Sequence, residues 1–188
     1  MSSSALWYLG RGTGIVALVM FTLTVVLGIT TRSGRTALGL SRFGVADLHQ
    51  TASLAGLGLI LVHITTLLFD PFAQLRVLDT VLPFLGHYRP VWQGLGTLSF
   101  DVLLVVIVSS LLRHRIGQRT FRALHWGAYA MWPLAFFHAL GNGSDAATWW
   151  FRGLAAVCAV AVGTAVGWRV SVGYGERGHN RIPRRTVP

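Results

Sequence analysis

The chain has 188 residues, of which 53% are hydrophobic and only 12% charged, about half the charged share of an average soluble domain. A soluble domain with so few charges and a mean hydropathy of +0.57 would expose large apolar patches, so the composition excludes an ordinary soluble protein. The net charge of +10 comes from 16 arginines without a lysine. These arginines lie between apolar segments and in the C-terminal tail, which indicates membrane topology rather than nucleic-acid binding. A single cysteine, Cys158, excludes an intrachain disulfide and a cysteine-ligated zinc site.

Five apolar runs, each of about 20 residues and long enough to cross a bilayer as a helix, follow one another along the chain. The first leads into TRSGR without a signal-peptide cleavage site, so we expect a retained helix. The segment between the second and third runs contains Pro71, Pro83 and Pro90, which predicts an interfacial or re-entrant loop. The predicted spans are residues 12–31, 45–69, 91–112, 123–140 and 146–168.

The arginine distribution predicts the orientation of these spans. The 1–2 loop, the 3–4 loop and the tail hold twelve arginines, whereas the opposite side holds four. The positive-inside rule therefore places the N-terminus outside and the C-terminus in the cytoplasm. The expected fold class is an all-α, multi-pass protein of the cell (plasma) membrane with five transmembrane helices. We expect residues 171–188 to form a disordered basic cytoplasmic tail, which either meets anionic headgroups or acts only as a stop-transfer anchor.

Four of the seven histidines lie inside the predicted spans, two on the second and two on the fourth. His49 and His63 are 14 residues apart and His125 and His138 are 13 apart, about 20 Å along a helix in each case. Both spans run outward, so His49 is predicted to lie level with His125, and His63 with His138. Two facing imidazoles can supply both axial ligands of a haem iron. Pairs about 20 Å apart do not form one coordination sphere, which disfavours metal-ion transport.

The two histidine-bearing spans differ in regularity. Fourteen residues are nearly four helical turns, so His49 and His63 point to almost the same side. Thirteen residues are not a whole number of helical turns, so His125 and His138 point in different directions on an ideal helix. Pro133 lies between them, and a kink there could bring the two imidazoles into line. The second span carries small residues that either leave room for a flat macrocycle or let another helix pack closely. These small residues are Ala52, Ser53 and Gly56.

The pattern His49-x13-His63 and His125-x12-His138 resembles the ferric reductase-like transmembrane domain, in its stand-alone bacterial (actinobacterial) form. The stretches YLGRGTGIVAL, LHQTASLAGLGLILVH and LLRHRIGQRTFRALHWGAYAMWPLAFFHALGNGSD support the resemblance, which covers residues 1–170. The family includes ferric reductases, NADPH oxidases and the haem subunit of the bacterial methionine sulfoxide reductase system. The resemblance implies transmembrane electron transfer through two haem b groups stacked between the second and fourth spans. It makes His49 and His125 the ligands of an inner haem iron and His63 and His138 those of an outer one.

Ferric reductases and NADPH oxidases continue into a flavin and NADPH domain, whereas this sequence has no G-x-G-x-x-G after a strand. We therefore expect an oxidoreductase subunit whose donor is a separate reductase or a quinol and whose acceptor lies outside the cell. Any flavin belongs to that partner, and whether the chain alone is an enzyme stays open. The other expected partner is membrane lipid, and no nucleic acid is expected. One alternative is a non-redox haem-binding membrane module, a sensor or haem carrier; another is a structural subunit with buried histidines.

Several further residues are candidates for roles near the haems. Asp101, an acid at membrane depth, suits a proton relay, a haem partner, a quinone site or a protonated structural role. Trp132 lies between His125 and His138 and is either an electron stepping point or core packing. The arginines that could pair with haem propionates are Arg32, Arg42, Arg115 and Arg122 at the inner level and Arg11 and Arg89 at the outer level.

Overall fold

Long apolar stretches without helix breakers form long helices in this chain. The computed structural model describes residues 3–33 and 39–171, and within these ranges it contains helices and no strand. A short 3₁₀ helix, Val77–Thr80, lies in the segment between the second and third α-helices. The α-helices are α1 (Ser3–Ser33), α2 (Arg42–Leu68), α3 (Pro90–Leu111), α4 (Arg113–His125), α5 (Gly127–Asn142) and α6 (Trp149–Val170). Apart from Ser171, the tail predicted to be disordered lies outside the described residues.

Within the described residues, four helices are long and apolar enough to cross a membrane: Ala5–Ser33 within α1, then α2, α3 and α6. The described ranges are thus all-helical, and the length and composition of these four helices agree with the membrane protein that the composition predicts. The predicted fourth span corresponds to α5, which has only 16 residues, fewer than the about 20 that a perpendicular crossing needs. Five crossings and their orientation stay predictions.

The region around the predicted fourth span forms two helices, α4 and α5, where the sequence predicts a loop followed by one span. The 3–4 loop is helical over most of its length, because it forms α4, in which no residue is buried. Gly117 interrupts α4 with a φ of 77°, a conformation that favours glycine. Trp126 separates α4 from α5, yet its φ of −60° and ψ of −22° are helical. His125 is therefore the last residue of α4, whereas His138 lies on α5.

Helix α1 lies at the centre of the fold and contacts α2, α5 and α6. The core gathers around its buried residues Ala17, Phe21, Val25 and Ile29. Helix α2 packs antiparallel on α1, and α5 packs on α3, while α2 and α5 make no extensive contact with each other in the described ranges. Helices α2 and α5 thus share α1 as a neighbour, and α5 in addition packs on α3.

The segment from Phe69 to Arg89 is tied to the helices through polar groups. Asp79 is buried and accepts hydrogen bonds from the guanidinium of Arg76, at 2.8 Å from Nη2 and 3.1 Å from Nε. This pairing lowers the pKa of the Asp79 carboxyl below its usual value. Thr97 Oγ1 donates to the backbone oxygen of Asp79 at 2.6 Å, which joins the segment to α3. Pro90 then occupies the first turn of α3, where its missing N–H costs no hydrogen bond.

Candidate haem-ligating site

His49 of α2 and His125 of α4 face each other. Their ring centroids are 6.5 Å apart and their planes differ by 72°. Two imidazoles bonded to opposite sides of one metal ion, through metal–nitrogen bonds of about 2 Å, have centroids roughly 6 Å apart. Both side chains are half-buried. The structure therefore brings together the pair that the register predicts, at a spacing that one metal ion can bridge.

His63 of α2 and His138 of α5 line one shared cavity of about 560 Å³. This volume lies within the range of about 300–1,000 Å³ typical of ligand and cofactor sites. The two histidines are close enough to interact electrostatically. The other lining residues include apolar side chains such as Phe21 and Ile60 and charged ones such as Arg11 and Asp145. The second predicted pair thus faces a space in the size range of a prosthetic group.

Three of the four imidazoles donate a hydrogen bond from Nδ1 to a backbone carbonyl of a neighbouring helix. Because a carbonyl oxygen only accepts, a neutral ring bound in this way carries its proton on Nδ1 and keeps Nε2 as an acceptor. In the described ranges, Nε2 of these three rings has no hydrogen-bond partner. Metal-ligating histidines in proteins are typically oriented in this manner. The bonds run from His49 to Thr24 O (2.9 Å), from His63 to Gly10 O (2.6 Å) and from His138 to Trp92 O (2.8 Å).

His125 is held differently from the other three histidines. Its Nδ1 is buried, and within the described part of the chain it has no hydrogen-bond partner. The ring lies beside Phe121, with centroids 5.2 Å apart, and Arg32 is close enough to interact with it electrostatically. Its environment therefore fixes the position of the ring by packing and leaves the tautomer open.

A glycine lies against each of the three hydrogen-bonded imidazoles. An added Cβ would lie 2.8 Å from the His63 ring at Gly14, 3.1 Å from the His49 ring at Gly28 and 2.5 Å from the His138 ring at Gly96. Ordinary van der Waals contact requires more than about 3.4 Å between such atoms. These glycines were not among the predicted site residues. The available signal was the 14-residue spacing of Gly14 and Gly28, which equals that of His49 and His63.

The small residues of α2 serve helix packing in at least one case. Gly56 is buried, and an added Cβ there would lie 2.9 Å from the Phe21 ring of α1. Gly56 therefore lets a neighbouring helix pack closely, which is the second of the two roles considered for the small residues of α2; the first was to leave room for a macrocycle.

The two outer arginines line the cavity shared by His63 and His138. Arg11 forms a two-bond ion pair with Asp145, with its Nε 3.1 Å from one carboxylate oxygen. Arg89 donates from Nη1 to Gly141 O at 2.6 Å. The sequence analysis did not select Asp145, because nothing in the pattern indicates that a residue 134 positions away pairs with Arg11.

The four inner arginine candidates lie at the other end of the bundle, where His49 and His125 lie. Arg32 is in the last turn of α1, and Arg42 begins α2 with its guanidinium 4.7 Å from the centre of the Phe43 ring. Arg115 and Arg122 are exposed on α4. Of the four, only Arg32 has a described electrostatic contact with one of the two histidines, His125.

Asp101 and Trp132 have contrasting surroundings. Asp101 is half-buried on α3, and the described residues offer its carboxyl neither a hydrogen bond nor an ion pair. Trp132 belongs to the buried core, donates from Nε1 to Thr22 Oγ1 at 2.9 Å and stacks on Phe136. Core packing is therefore established for Trp132, and its role as a stepping point stays a prediction.

The donor set of each pair fits a haem iron, which needs two axial imidazoles and obtains its other four ligands from the macrocycle. Across residues 3–33 and 39–171, no group of three or more His, Cys, Asp or Glu side chains could hold a metal ion; a haem with two axial histidines does not need one. Comparisons with protein-family models, curated proteins and solved structures give no match for this chain.

Proposed function

We propose that the chain is a stand-alone, ferric reductase-like b-type cytochrome that transfers electrons across the membrane through two haem b groups. His49 and His125 would hold the inner haem, and His63 and His138 the outer one. The observation that carries this proposal is the set of Nδ1–H bonds to backbone carbonyls, which leaves Nε2 of three paired histidines available as an iron ligand. A structural histidine can form the same interhelical bond, so the facing of the His49 and His125 rings, with centroids 6.5 Å apart, is a second support for the haem interpretation.

The proposed topology has five crossings, an external N-terminus and a cytoplasmic C-terminus. The helical dihedral angles of Trp126 support α5 as the fifth crossing, because they extend its helical backbone toward α4 by one residue. Arginine counts support the orientation. In this topology the pair His63 and His138 lies at the outer level, together with Arg11, Arg89 and the cavity.

When bound, the haems supply reversible one-electron redox chemistry, and the residues of the chain supply ligation, spacing and environment. Two histidines of the chain would hold each haem, so a substrate need not bind iron. Apolar side chains such as Phe21 and Ile60 line the cavity with His63 and His138, together with the polar side chains of Arg11 and Arg89. The charge of Arg11 is paired with that of Asp145. The helical rise separates His49 from His63 by about 20 Å along α2, and this distance sets the separation of the two proposed haems.

The partners follow from what the chain contains. A separate reductase or a quinol would reduce the inner haem, any flavin would belong to that partner, and the acceptor would be external. Ferric iron, a flavoprotein, a sulfoxide reductase and oxygen all suit that role chemically.

One observation favours the non-redox alternative, a haem sensor. His125 Nδ1 has no hydrogen-bond partner in the described ranges, so this ligand would be less firmly oriented and easier to replace. Exposure of the reduced protein to carbon monoxide distinguishes the two functions. A complete shift of one haem spectrum indicates a replaceable ligand and favours the sensor, whereas an unchanged spectrum indicates that both histidines of each pair are retained and argues against it.

The primary test is a reduced-minus-oxidised spectrum of the purified chain, produced with sufficient haem supply. We expect b-type bands, two haems per chain and low-spin bis-imidazole signals in electron paramagnetic resonance. Reconstituted vesicles then test conduction: external dithionite should reduce ferricyanide trapped inside, and protein-free vesicles provide the control. A correctly folded protein without b-type bands would refute the cytochrome assignment.

A further inference from the structure

We propose that Gly14, Gly28 and Gly96 are positioning residues for three of the haem-ligating histidines. Each glycine forms, with the carbonyl group four residues before it, a seat that fixes the imidazole of a neighbouring helix in its Nδ1–H tautomer. The functional part of this inference rests on the proposed function, whereas the geometric part can be tested without haem. The three seats are Gly10 and Gly14 for His63, Thr24 and Gly28 for His49, and Trp92 and Gly96 for His138.

The four-residue offset has a direct physical explanation. In an α-helix the carbonyl of residue i accepts the N–H of residue i+4 and retains a second lone pair for another donor. A ring that reaches this lone pair from the side passes over residue i+4. A Cβ at Gly14 or Gly28 would lie 2.8 or 3.1 Å from the ring atoms, and one at Gly96 would lie 2.5 Å away. Only glycine at i+4 therefore allows the imidazole to reach the carbonyl without displacement.

The same offset recurs in two unrelated helix pairs. Helix α1 provides two seats 14 residues apart for the two histidines of α2, and α3 provides the third seat for α5. The repeat in α1 matches the repeat in α2 because the helices are antiparallel and share the same rise per residue. A chance glycine contact would not place a hydrogen-bonded carbonyl at the same offset three times.

The fourth histidine provides an internal contrast. His125 precedes His138 by 13 residues, so continuing the antiparallel register along α3 by 13 residues from Gly96 reaches Ser109. Ser109 is buried, and its hydroxyl donates to Val106 O at 2.8 Å. The position that should complete a fourth seat thus carries a side chain. His125 Nδ1 is the one of the four without a partner in the described ranges.

The seats give the two haem levels different support. A ligand whose Nδ1–H is bonded to a carbonyl is oriented and made more basic, which favours the oxidised iron. The outer pair has a seat for both His63 and His138, whereas the inner pair has one for His49 alone. Losing a seat should weaken haem binding by about 10- to 100-fold, the usual effect of removing such a partner, and raise the reduction potential of that haem.

The test replaces each seat glycine by alanine: Gly14→Ala, Gly28→Ala and Gly96→Ala. Gly12→Ala and Gly58→Ala are matched controls, since an added Cβ at Gly12 of α1 or Gly58 of α2 meets nothing within 4 Å. The first readout is ¹⁵N NMR of histidine-labelled protein without haem, in which Nδ1–H and Nε2–H tautomers give different nitrogen shifts. The second is the haem content, spin state and potential of the loaded protein.

We expect Gly96→Ala to remove the Nδ1–H signal of His138 and to perturb the outer haem most. Gly14→Ala should perturb the same haem less, through His63. Gly28→Ala acts on the inner haem through His49 and should have the smallest effect of the three, in the order of the Cβ distances. Unchanged histidine signals in folded Gly96→Ala, or equal effects in Gly12→Ala, would overturn the seats and leave the cytochrome assignment standing. Tautomer changes in a protein that never binds haem would support the seats and refute the proposed function. If Gly96→Ala does not fold, Gly28→Ala decides, because its ring must move by only a few tenths of an ångström.

Discussion

Replacing the four histidines one at a time by alanine tests how they are paired. In the structure His49 faces His125 at 6.5 Å between ring centroids, and His63 shares its cavity with His138. His63→Ala and His138→Ala should therefore remove the same haem or convert it to a high-spin form. His49→Ala and His125→Ala should affect the other haem only.

The size of the effect follows from the helix geometry. Each variant should lose the low-spin signal of one haem of two, so the b-type absorbance from low-spin haem falls by about half. His49 and His63 are 14 residues apart, about 21 Å at 1.5 Å per residue. Removing either haem leaves a gap of this order, which is too wide for efficient direct transfer. All four variants should therefore stop conduction in vesicles while retaining half of the spectrum.

The assay combines haem quantification, paramagnetic resonance and the vesicle experiment on the same preparations, with circular dichroism to show that each variant folds. His87→Ala is the control, because His87 is an exposed histidine of the outer segment that lines the cavity without belonging to either pair. If His49→Ala and His63→Ala perturbed the same haem in folded protein, the stacked arrangement would be wrong.

Three further predictions concern topology, packing and pH. A C-terminal reporter should be active only in the cytoplasm, and activity outside would reverse the inner and outer labels. Thr22→Val should destabilise the protein by about 1–3 kcal/mol, because Trp132 Nε1 loses its acceptor, while Thr22→Ser should have little effect on thermal unfolding in detergent. Asp79 has a lowered pKa because of Arg76, so its contribution to stability is present above the unfolded-state pKa and lost as pH falls through the folded-state value. Between about pH 5 and pH 2, Asp79→Asn should remove that part of the acid destabilisation, and an identical pH profile in the variant would contradict this assignment.

The pairing of His49 with His125 could be predicted from the sequence because helical rise is nearly constant, and spacing alone determines level. The approximate bounds of the long helices were predictable for a similar reason, since apolar runs end where arginines and prolines begin. Helix α2, for example, ends at Leu68, one residue before the predicted boundary.

Other features depend on tertiary contacts that no local pattern encodes. The division at Trp126 was missed because the stretch Ala123–Leu140 contains no Asp, Glu, Lys or Arg that would mark a boundary there. The seats at Gly14 and Gly96 were missed because a glycine in a membrane helix more often indicates close helix packing, as Gly56 does in this fold. The ion pair between Arg11 and Asp145 joins residues distant in sequence, so only the folded chain brings them together.

The equal 14-residue repeats in α1 and α2 also have a consequence for assembly of the first hairpin. If α1 slipped past α2 by one residue, it would shift by 1.5 Å and turn by about 100°. Side chains would then replace both glycines under His49 and His63 at the same moment. His49 and His63 would therefore clash with α1 in a misaligned hairpin, one near each end of it. These clashes would destabilise the wrong alignment before α3 and α5 pack on the hairpin. If the proposed function is correct, a misaligned hairpin would also bind less haem, so a lower haem absorbance would report this folding error.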